Sequence, residues 1–193
     1  MLIAIEGIDG SGKTTQVDLL AKSLREQNKP VVTSKEPTDG VYGRKLRESA
    51  FTGRMGPQQE LELFIKDRRD HVENLIEPNL KLGMIVILDR YYFSTIAYQS
   101  ARGLDPEMIR AKNEKFAPRP DLLFILDVSV TESLKRIGVR DGEGNNFEGL
   151  ENLTNCREVF LTMTGPGIFH IDAERAPGAL HQEILKIMSE KPG

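Results

Sequence analysis

Residues Gly7 to Thr14 read Gly-Ile-Asp-Gly-Ser-Gly-Lys-Thr and match the pattern G-x-x-x-x-G-K-[ST] in full. Glycines let backbone N–H groups turn inward around a phosphate without Cβ clashes, and a following helix N-terminus adds partial positive charge. Lys13 is then expected along the β- and γ-phosphates of a nucleotide, with the Thr14 hydroxyl on Mg²⁺. The nucleotide site is predicted to consist of Gly7, Ile8, Asp9, Gly10, Ser11, Gly12, Lys13, Thr14 and Thr15.

A second motif places Asp89 directly after the apolar run Ile85 to Leu88, with Arg90 next. Ligands of open parallel sheets bind beyond the carboxyl ends of the strands, so Asp89 is placed to hold Mg²⁺ through water. A hydrolytic ATPase often carries a second carboxylate at the next position, whereas arginine suits bidentate binding of another phosphate. We interpret the pair as part of a site for two phosphorylated ligands; a surface ion pair is the alternative.

Arg68 stands where an apolar residue is expected. At about 100° per residue it falls near the middle of a helical stripe, well away from Asp67 and Arg69. The apolar members of that stripe are Leu61, Phe64, Ile65, Val72, Leu75 and Ile76. Because Phe64 precedes Arg68 by one turn, the ring and the guanidinium could clamp a nucleobase by stacking and donation. The alternatives are a snorkelling arginine and a structural ion pair.

The elements that must position these residues follow an alternating strand and helix pattern. Short apolar runs predict strands, and they lie at Leu2–Glu6, Pro30–Ser34, Met84–Leu88, Leu122–Val128 and Ile168–Ile171. Two helices are predicted at about Lys13–Gln27 and Pro57–Ile76. Three more are predicted to begin at the cap residues Asp105-Pro106, at Ser129 and at Pro177. Such alternation indicates an α/β protein with a parallel sheet covered by helices on both faces. The Asp141–Asn146 stretch is predicted to be a loop that suits a mobile lid.

Composition limits the function classes. The 193 residues, 39% hydrophobic and 28% charged, suit one ordinary globular domain, and the net charge of -3 argues against broad nucleic-acid binding. The apolar runs are too short to cross a bilayer, and we expect no signal peptide. The single cysteine, Cys156, cannot form an internal disulfide, which fits a reducing, cytoplasmic location. Asn113 to Phe116 does not complete the N-K-x-D pattern of guanine-nucleotide proteins, which argues against a GTPase.

Together these residues resemble the thymidylate kinase family over essentially the whole chain. The resemblance rests on Ile5 to Gln16, Glu36-Pro37, Leu63-Phe64, Asp67-Arg68, Asp89-Arg90-Tyr91, Ser94 to Gln99, Pro120-Asp121 and Ile171-Asp172-Ala173. It implies a P-loop NTPase fold with a five-stranded parallel sheet, helices on both faces and a short lid. It also implies a single kinase domain over 1–193, with the lid at about 136–149, that uses ATP and Mg²⁺ to phosphorylate dTMP and forms a homodimer.

The resemblance also implies individual roles. Asp9 would lie near the metal and the acceptor phosphate, which Arg90 would bind. Phe64 would stack on thymine and Arg68 would hydrogen-bond a base carbonyl. The other residues expected around the substrate are Glu36 and Pro37, then Thr95 or Gln99 at the base edge, and Tyr98 beside the deoxyribose.

The expected chemistry needs no strong general base, because the acceptor is an already anionic phosphate oxygen. Catalysis would depend on alignment and on charge neutralisation by Lys13, Mg²⁺, Arg90 and a lid arginine. Asp9, near the metal, completes the predicted catalytic set. Arg136 and Arg140 follow the fourth strand; Arg136 is expected at the ATP and Arg140 at the transferred phosphate, with solvated surface charge as the alternative.

Two other functions stay open at this stage. In a deoxynucleoside kinase, Glu36 would be the base that deprotonates a 5′-hydroxyl. In a P-loop module that binds nucleotide without turnover, a lid with few arginines would suffice.

Overall fold

The computed structural model describes residues 1–141 and 146–190, with the side chains of 50–51, 139–141 and 146–148 excepted. The sheet consists of the strands β1 (Leu2–Glu6), β2 (Val31–Lys35), β3 (Ile85–Asp89), β4 (Leu122–Asp127) and β5 (Ile168–Asp172). Their order across the sheet is β2-β3-β1-β4-β5, and all the pairs are parallel. The predicted α/β class and five-stranded parallel sheet are confirmed.

The central strand β1 is buried along its whole length. Ile3 pairs with Ile87 on one side and with Leu122 on the other, and all three side chains are inaccessible to solvent. Continuous aliphatic sequence is what a strand with helices on both faces requires. This arrangement directs the carboxyl ends of β1 and β3, which carry the two phosphate-related motifs, to the same edge of the sheet.

The helices connect the strands. In chain order they are α1 (Lys13–Glu26), α2 (Val41–Thr52), α3 (Pro57–His71), α4 (Glu77–Lys81), α5 (Tyr92–Ser100), α6 (Pro106–Glu114), α7 (Val130–Asp141), α8 (Asn146–Thr162) and α9 (Pro177–Glu190). The predicted caps are present, since the Asp105 carboxylate accepts from Glu107 N at 3.0 Å and Ser129 Oγ accepts from Glu132 N at 3.4 Å. The π-helical segment Val72–Ile76 joins α3 to α4, so the predicted helix to Ile76 changes its winding after His71.

The sequence pattern did not reveal α2, α5 and α8. Helix α5 is buried almost throughout, so it lacks the polar face on which a helical period depends. Helix α2 contains Gly43, which weakens an isolated helix by about 1 kcal/mol. That glycine is required because a Cβ there would collide with the Thr38 backbone.

Two sequence expectations about individual segments need correction. The helical pattern predicts that Asp67 lies off the buried stripe of α3, but the residue is only 2% exposed. Its carboxylate accepts hydrogen bonds from Thr38 N at 2.7 Å and from Thr38 Oγ1 at 2.6 Å. A second face of α3 is therefore covered. The two ends of the loop expected at Asp141–Asn146 are helical instead, since Asp141 ends α7 and Asn146 begins α8; residues 142–145 lie outside the described residues.

Cys156 on α8 is fully buried, and burial raises the pKa of its thiol to about 12. A thiol in such surroundings is unreactive. None of the helices within 1–141 and 146–190 has the length and apolar character needed to cross a membrane.

Candidate active site

The phosphate loop occupies the connection between the end of β1 at Glu6 and the start of α1 at Lys13. Gly7 and Gly10 have φ of 138° and 75°, a region that favours glycine. A Cβ on Gly7 would lie 2.5 Å from the Leu126 carbonyl oxygen, and one on Gly10 would lie 2.7 Å from the Ser133 carbonyl oxygen. The loop is thus packed tightly against β4 and α7, and both glycines are needed for that approach.

Lys13 is buried at the base of this loop. Its Nζ donates to the Ile8 carbonyl at 2.8 Å and lies 3.5 Å from Ser11 Oγ. Burial, followed by the nearby charge of Arg90, lowers the pKa of Lys13 to about 7. A phosphate next to this amine would favour its charged form, because an opposite charge within a few ångströms offsets the desolvation.

The predicted metal ligands contact each other directly. Thr14 Oγ1 donates to Asp89 Oδ2 at 2.5 Å, which brings the loop and the end of β3 together. Hydroxyl and carboxylate oxygens are the donors that Mg²⁺ prefers, so this pair fits the ion. Within the described residues no cluster of three or more His, Cys, Asp or Glu side chains forms a metal site. A magnesium ion held here would therefore need phosphate oxygens or water as further ligands.

Arg90 lies between the phosphate loop and α5. It has a φ of 70°, which is uncommon for a residue with a Cβ. Its guanidinium donates to Asp9 Oδ1 at 2.5 Å, to Ser94 Oγ at 2.9 Å and to the Gly7 carbonyl at 3.3 Å. Although burial opposes ionisation of Asp9, the charges of Arg90 and Lys13 hold the pKa of that carboxyl below its usual value. The result is a fixed, charged pair at the mouth of the loop.

Glu6 anchors the backbone that carries Arg90. Glu6 is fully buried, and its carboxylate accepts from Tyr91 N at 2.7 Å, from Ser94 N at 3.0 Å and from Ser94 Oγ at 2.5 Å. Burial raises the pKa of Glu6, against the effect of these donors and of Arg90. The start of α5 is thereby tied to the end of β1.

A cavity of about 540 Å³ lies over the phosphate loop and α1. Of the predicted nucleotide-binding residues, those that border it are Asp9, Gly10, Gly12, Lys13, Thr14, Thr15 and Arg136. Gly7, Ile8 and Ser11 belong to the loop but do not line this cavity. The Arg136 guanidinium donates to Glu132 Oε1 at 2.9 Å, to the Ala173 carbonyl at 3.1 Å and to the Gly10 carbonyl at 3.3 Å. Arg136 therefore braces the loop from α7.

A second cavity of about 400 Å³ lies between α2, α3 and α5. All the predicted substrate-binding residues border it, namely Glu36, Pro37, Phe64, Arg68, Arg90, Thr95, Tyr98 and Gln99. The two cavities share Asp9, Glu36 and Arg90. Two ligands bound in them would meet at these charged side chains, which is the geometry that a direct transfer between ligands requires.

Comparison with known proteins gives matches over nearly the whole chain. The family model described as thymidylate kinase matches residues 5–184. The chain is 50% identical over 188 residues to a thymidylate kinase of Akkermansia muciniphila, with 97% of this chain and 91% of the relative covered. It is 51% identical over 173 residues to one of Xanthomonas campestris, covering 90% and 76%, and 50% identical over 190 residues to one of Xylella fastidiosa, covering 98% and 91%.

This chain belongs to the thymidylate kinase family. The resemblance read from the sequence is therefore confirmed, as is the P-loop fold that it implied. The identity extends over nearly the whole chain, so the sheet edge, α3 and α5 all lie within the shared region.

Within this family member, Arg68 is the centre of a buried polar network. It is 1% exposed, and its Nε and Nη2 both donate to Glu36 Oε2, at 2.8 Å and 2.6 Å. Nη2 also donates to Thr95 Oγ1 at 2.9 Å, and Nη1 donates to Asn113 Oδ1 at 2.6 Å. A guanidinium has five N–H groups, so one on Nη1 has no hydrogen-bond partner among the described residues, although the guanidinium carbon lies 5.5 Å from the Tyr91 ring centroid. The structural ion pair considered from the sequence exists, with Glu36 as the partner.

The Glu36 carboxylate is held from two sides. His71 Nδ1 lies 2.9 Å from Glu36 Oε1, and His71 Nε2 lies 2.8 Å from Ser34 Oγ. Burial alone would raise the pKa of Glu36, but Arg68 and His71 outweigh it and hold that pKa below the usual value. Glu36 is therefore a firmly ionised, weakly basic group.

Gln99 and Tyr98 form the α5 side of the second cavity. The Gln99 amide nitrogen donates to Glu60 Oε2, and its Oε1 is buried without a hydrogen-bond partner in the described part of the chain. The Tyr98 hydroxyl donates to Asp9 Oδ2 at 3.0 Å and accepts from Asp9 N at 3.2 Å. The ring of Tyr98 lies beneath Arg90, with 5.3 Å between the guanidinium carbon and the ring centroid.

Sequence reasoning missed several residues of this site. Arg47 and Arg54 border the second cavity, and Arg47 donates to the Pro37 carbonyl at 2.9 Å. No sequence pattern indicated either arginine, because α2 was not recognised and Arg54 lies in the connection to α3. Asn113 was considered only as part of a guanine motif, and its burial against Arg68 could not be read from spacing. The side chain of Arg140, the predicted lid arginine, lies outside the described residues.

Proposed function

We propose that this chain is a thymidylate kinase that transfers the γ-phosphoryl group of ATP to dTMP, giving dTDP and ADP. The observation that carries this proposal is the meeting of the two cavities at Asp9, Glu36 and Arg90. ATP would lie over the phosphate loop, with its γ-phosphate near Lys13. The monophosphate would lie in the second cavity, with its phosphate at Arg90.

In this proposal the phosphate of dTMP attacks as an anion, so the protein aligns the reactants and neutralises charge. Arg90 borders both cavities and Lys13 borders the one over the phosphate loop, so both can supply positive charge where the ligands meet. Asp9 holds Arg90 in position through their short ion pair. Magnesium, held by Thr14 and Asp89, would neutralise phosphate charge when ATP is bound.

The base-recognition part of the proposal rests on two unsatisfied polar groups. Arg68 retains one N–H donor, and Gln99 Oε1 is an acceptor without a partner among the described residues. Thymine presents a carbonyl oxygen at C4 and an N–H at position 3, which is the complementary pattern. Phe64, which borders the same cavity, would supply the aromatic face for stacking.

The state of Glu36 argues against a deoxynucleoside kinase. A general base must take a proton from a 5′-hydroxyl, and its pKa should lie near the operating pH. The pKa of Glu36 is instead held below its usual value, and both carboxylate oxygens already accept hydrogen bonds from Arg68 and His71. An acceptor that brings its own anionic oxygen needs no such base.

Further parts of the proposal come from the resemblance. They are a single kinase domain over 1–193, a lid at about 136–149 from which Arg140 reaches the transferred phosphate, a homodimer and a cytoplasmic location. Arg136, which borders the ATP cavity, would contact ATP from the base of the lid. Neither substrate is a nucleic acid, and the net charge of -3 agrees with that.

The test is an ADP-release assay with ATP, Mg²⁺ and dTMP, dUMP, dCMP, dGMP, UMP or thymidine as acceptor. We expect turnover with dTMP well above that with the other compounds. Turnover with thymidine but not with dTMP would support the deoxynucleoside kinase. ATP binding without turnover on any acceptor would contradict the kinase assignment and favour a nucleotide-binding module.

The magnesium assignment gives a second prediction. Asp89→Asn keeps the shape of the side chain and removes its charge, so it should raise the Mg²⁺ concentration for half-maximal activity by about tenfold or more. The measurement is a Mg²⁺ titration at saturating ATP and dTMP. Asp105→Asn is the matched control, because Asp105 is exposed at the start of α6, where asparagine caps equally well. An unchanged Mg²⁺ requirement in Asp89→Asn would remove Asp89 from the metal site.

A further inference from the structure

Glu60 on α3 is buried and borders the second cavity. Its side chain is 7% exposed, and Arg102 Nη1 donates to Oε2 at 2.5 Å while Arg54 Nε donates to Oε1 at 3.2 Å. Arg102 is itself fixed, since its Nη2 donates to the Met55 carbonyl at 2.6 Å. Two guanidinium groups thus hold one carboxylate in place, and that carboxylate also accepts from the amide of Gln99.

This contact determines which way the Gln99 amide faces. A carboxylate only accepts hydrogen bonds, whereas the two ends of an amide differ, since NH₂ donates and oxygen accepts. With Glu60 next to it, Gln99 must direct NH₂ toward the carboxylate. The reverse orientation would place two acceptors against each other in a buried site, which is costly.

The other end of the amide, Oε1, is the buried oxygen without a partner among the described residues. Gln99 borders the second cavity, as does Thr95 one helical turn earlier, to which Arg68 donates. A buried acceptor left unpaired beside a cavity indicates that the ligand brings the donor. The required donor is an N–H group.

We propose that Glu60 is a positioning residue for base specificity, because it fixes Gln99 as a hydrogen-bond acceptor. The second cavity then binds a pyrimidine with an N–H at position 3 and discriminates against cytosine. This inference rests on the proposed function. Cytosine carries a lone pair at position 3 and an amino group at C4, so it would oppose both Gln99 Oε1 and the free N–H of Arg68. A site built to hydrogen-bond its ligand discriminates strongly against such an analogue, because buried groups stay unpaired.

The test compares kcat/KM for dTMP and dCMP in Glu60→Gln. A neutral amide at position 60 can donate or accept, so Gln99 becomes free to turn, and the preference for dTMP should fall by about tenfold or more. The preference is a ratio within one preparation, so a loss of folded protein does not change it. Glu60→Asp keeps an acceptor-only group and should retain most of the preference, and Glu62→Gln, which alters an exposed residue of the same helix, should retain all of it.

Glu60→Gln leaves Arg102 without its carboxylate, which could prevent folding. The double variant Glu60→Gln/Arg102→Gln removes that charge as well, while Arg54, whose side chain is 46% exposed, stays solvated. The double variant should show the same loss of preference. A folded Glu60 variant that prefers dTMP as strongly as the wild type does would overturn this inference alone. A wild type that phosphorylates no monophosphate would overturn the proposed function and this inference with it.

Discussion

Replacing Arg90 by alanine is expected to lower kcat/KM for dTMP by about 10²–10³-fold, the usual effect of removing one preorganised charged group at a transferring centre. Arg90 borders both cavities and is held by Asp9, Ser94 and the Gly7 carbonyl. Its charge is therefore already in place before the substrates bind, and alanine supplies none. Steady-state kinetics with varied dTMP at saturating ATP measure the effect.

The affinity for ATP should change much less in Arg90→Ala, because the phosphate loop and Lys13 stay intact. Arg90→Lys should recover only part of the activity, since an ammonium cannot bind a phosphate with two parallel N–H groups. Arg110→Ala is the control; this arginine pairs with Glu107 and Glu114 on the surface of α6. Near-normal use of dTMP by Arg90→Ala would show that Arg90 does not act on the acceptor phosphate.

Replacing Arg68 by methionine is expected to affect both stability and substrate use. The variant leaves the buried Glu36 carboxylate without its main partner, and breaking a buried ion pair from one side costs about 3–5 kcal/mol. It also removes the N–H proposed for the thymine carbonyl, which should lower kcat/KM for dTMP by about 10- to 100-fold. Denaturant unfolding at pH 7 and kinetics with dTMP measure the two effects.

The stability effect should depend on pH. In the wild type the folded-state pKa of Glu36 lies below its usual value of 4.5, so the pair stabilises the fold above that value and the contribution is lost as the pH falls through the folded-state pKa. In Arg68→Met, burial without the arginine should raise the pKa of Glu36. The unpaired charge then disappears on protonation, so the difference between variant and wild type should shrink from pH 7 toward pH 4.

A double variant separates the two roles of Arg68. Arg68→Met/Glu36→Gln removes the stranded charge and should recover most of the stability, because glutamine can still bond to His71. Use of dTMP should stay low, since the donor at the base is still missing. Arg69→Met is the control: Arg69 is exposed and stacks on Phe116 at 4.2 Å, so its loss should cost about 1 kcal/mol or less. Recovery of dTMP use in the double variant would contradict base recognition by Arg68.

The sheet could be predicted from the sequence because its strands are short, apolar and bounded by glycine or proline. Capping residues and prolines likewise located the starts of α3, α6, α7 and α9. Helices α2 and α5 were missed for opposite reasons, since one contains a glycine imposed by Thr38 and the other is buried on nearly every side. In both cases tertiary packing, which local sequence does not express, decides the outcome.

The candidate site was predictable where a motif fixes the chemistry. The phosphate loop and the Asp89-Arg90 pair could be read directly, and the misplaced Arg68 could be recognised as significant. The partners of Arg68 could not be predicted, because Glu36, Thr95 and Asn113 come from three separate segments that only the fold brings together. For the same reason Glu60 looked like an ordinary residue in the first turn of a helix.

The bonds that Glu6 accepts from Tyr91 and Ser94 have a mechanical consequence. They join the phosphate loop and α5 into one rigid block, which carries Lys13, Arg90 and Gln99 together. Substrate entry cannot come from separating these parts without breaking buried hydrogen bonds to a carboxylate. The facing wall, formed by Leu46 and Arg47 on α2, has no such anchor to β1 among the described contacts, so we expect α2 rather than α5 to move if the second cavity opens further. Of the two walls of the second cavity, α5 is therefore bonded to the end of β1, and α2 has no such bond among the described residues.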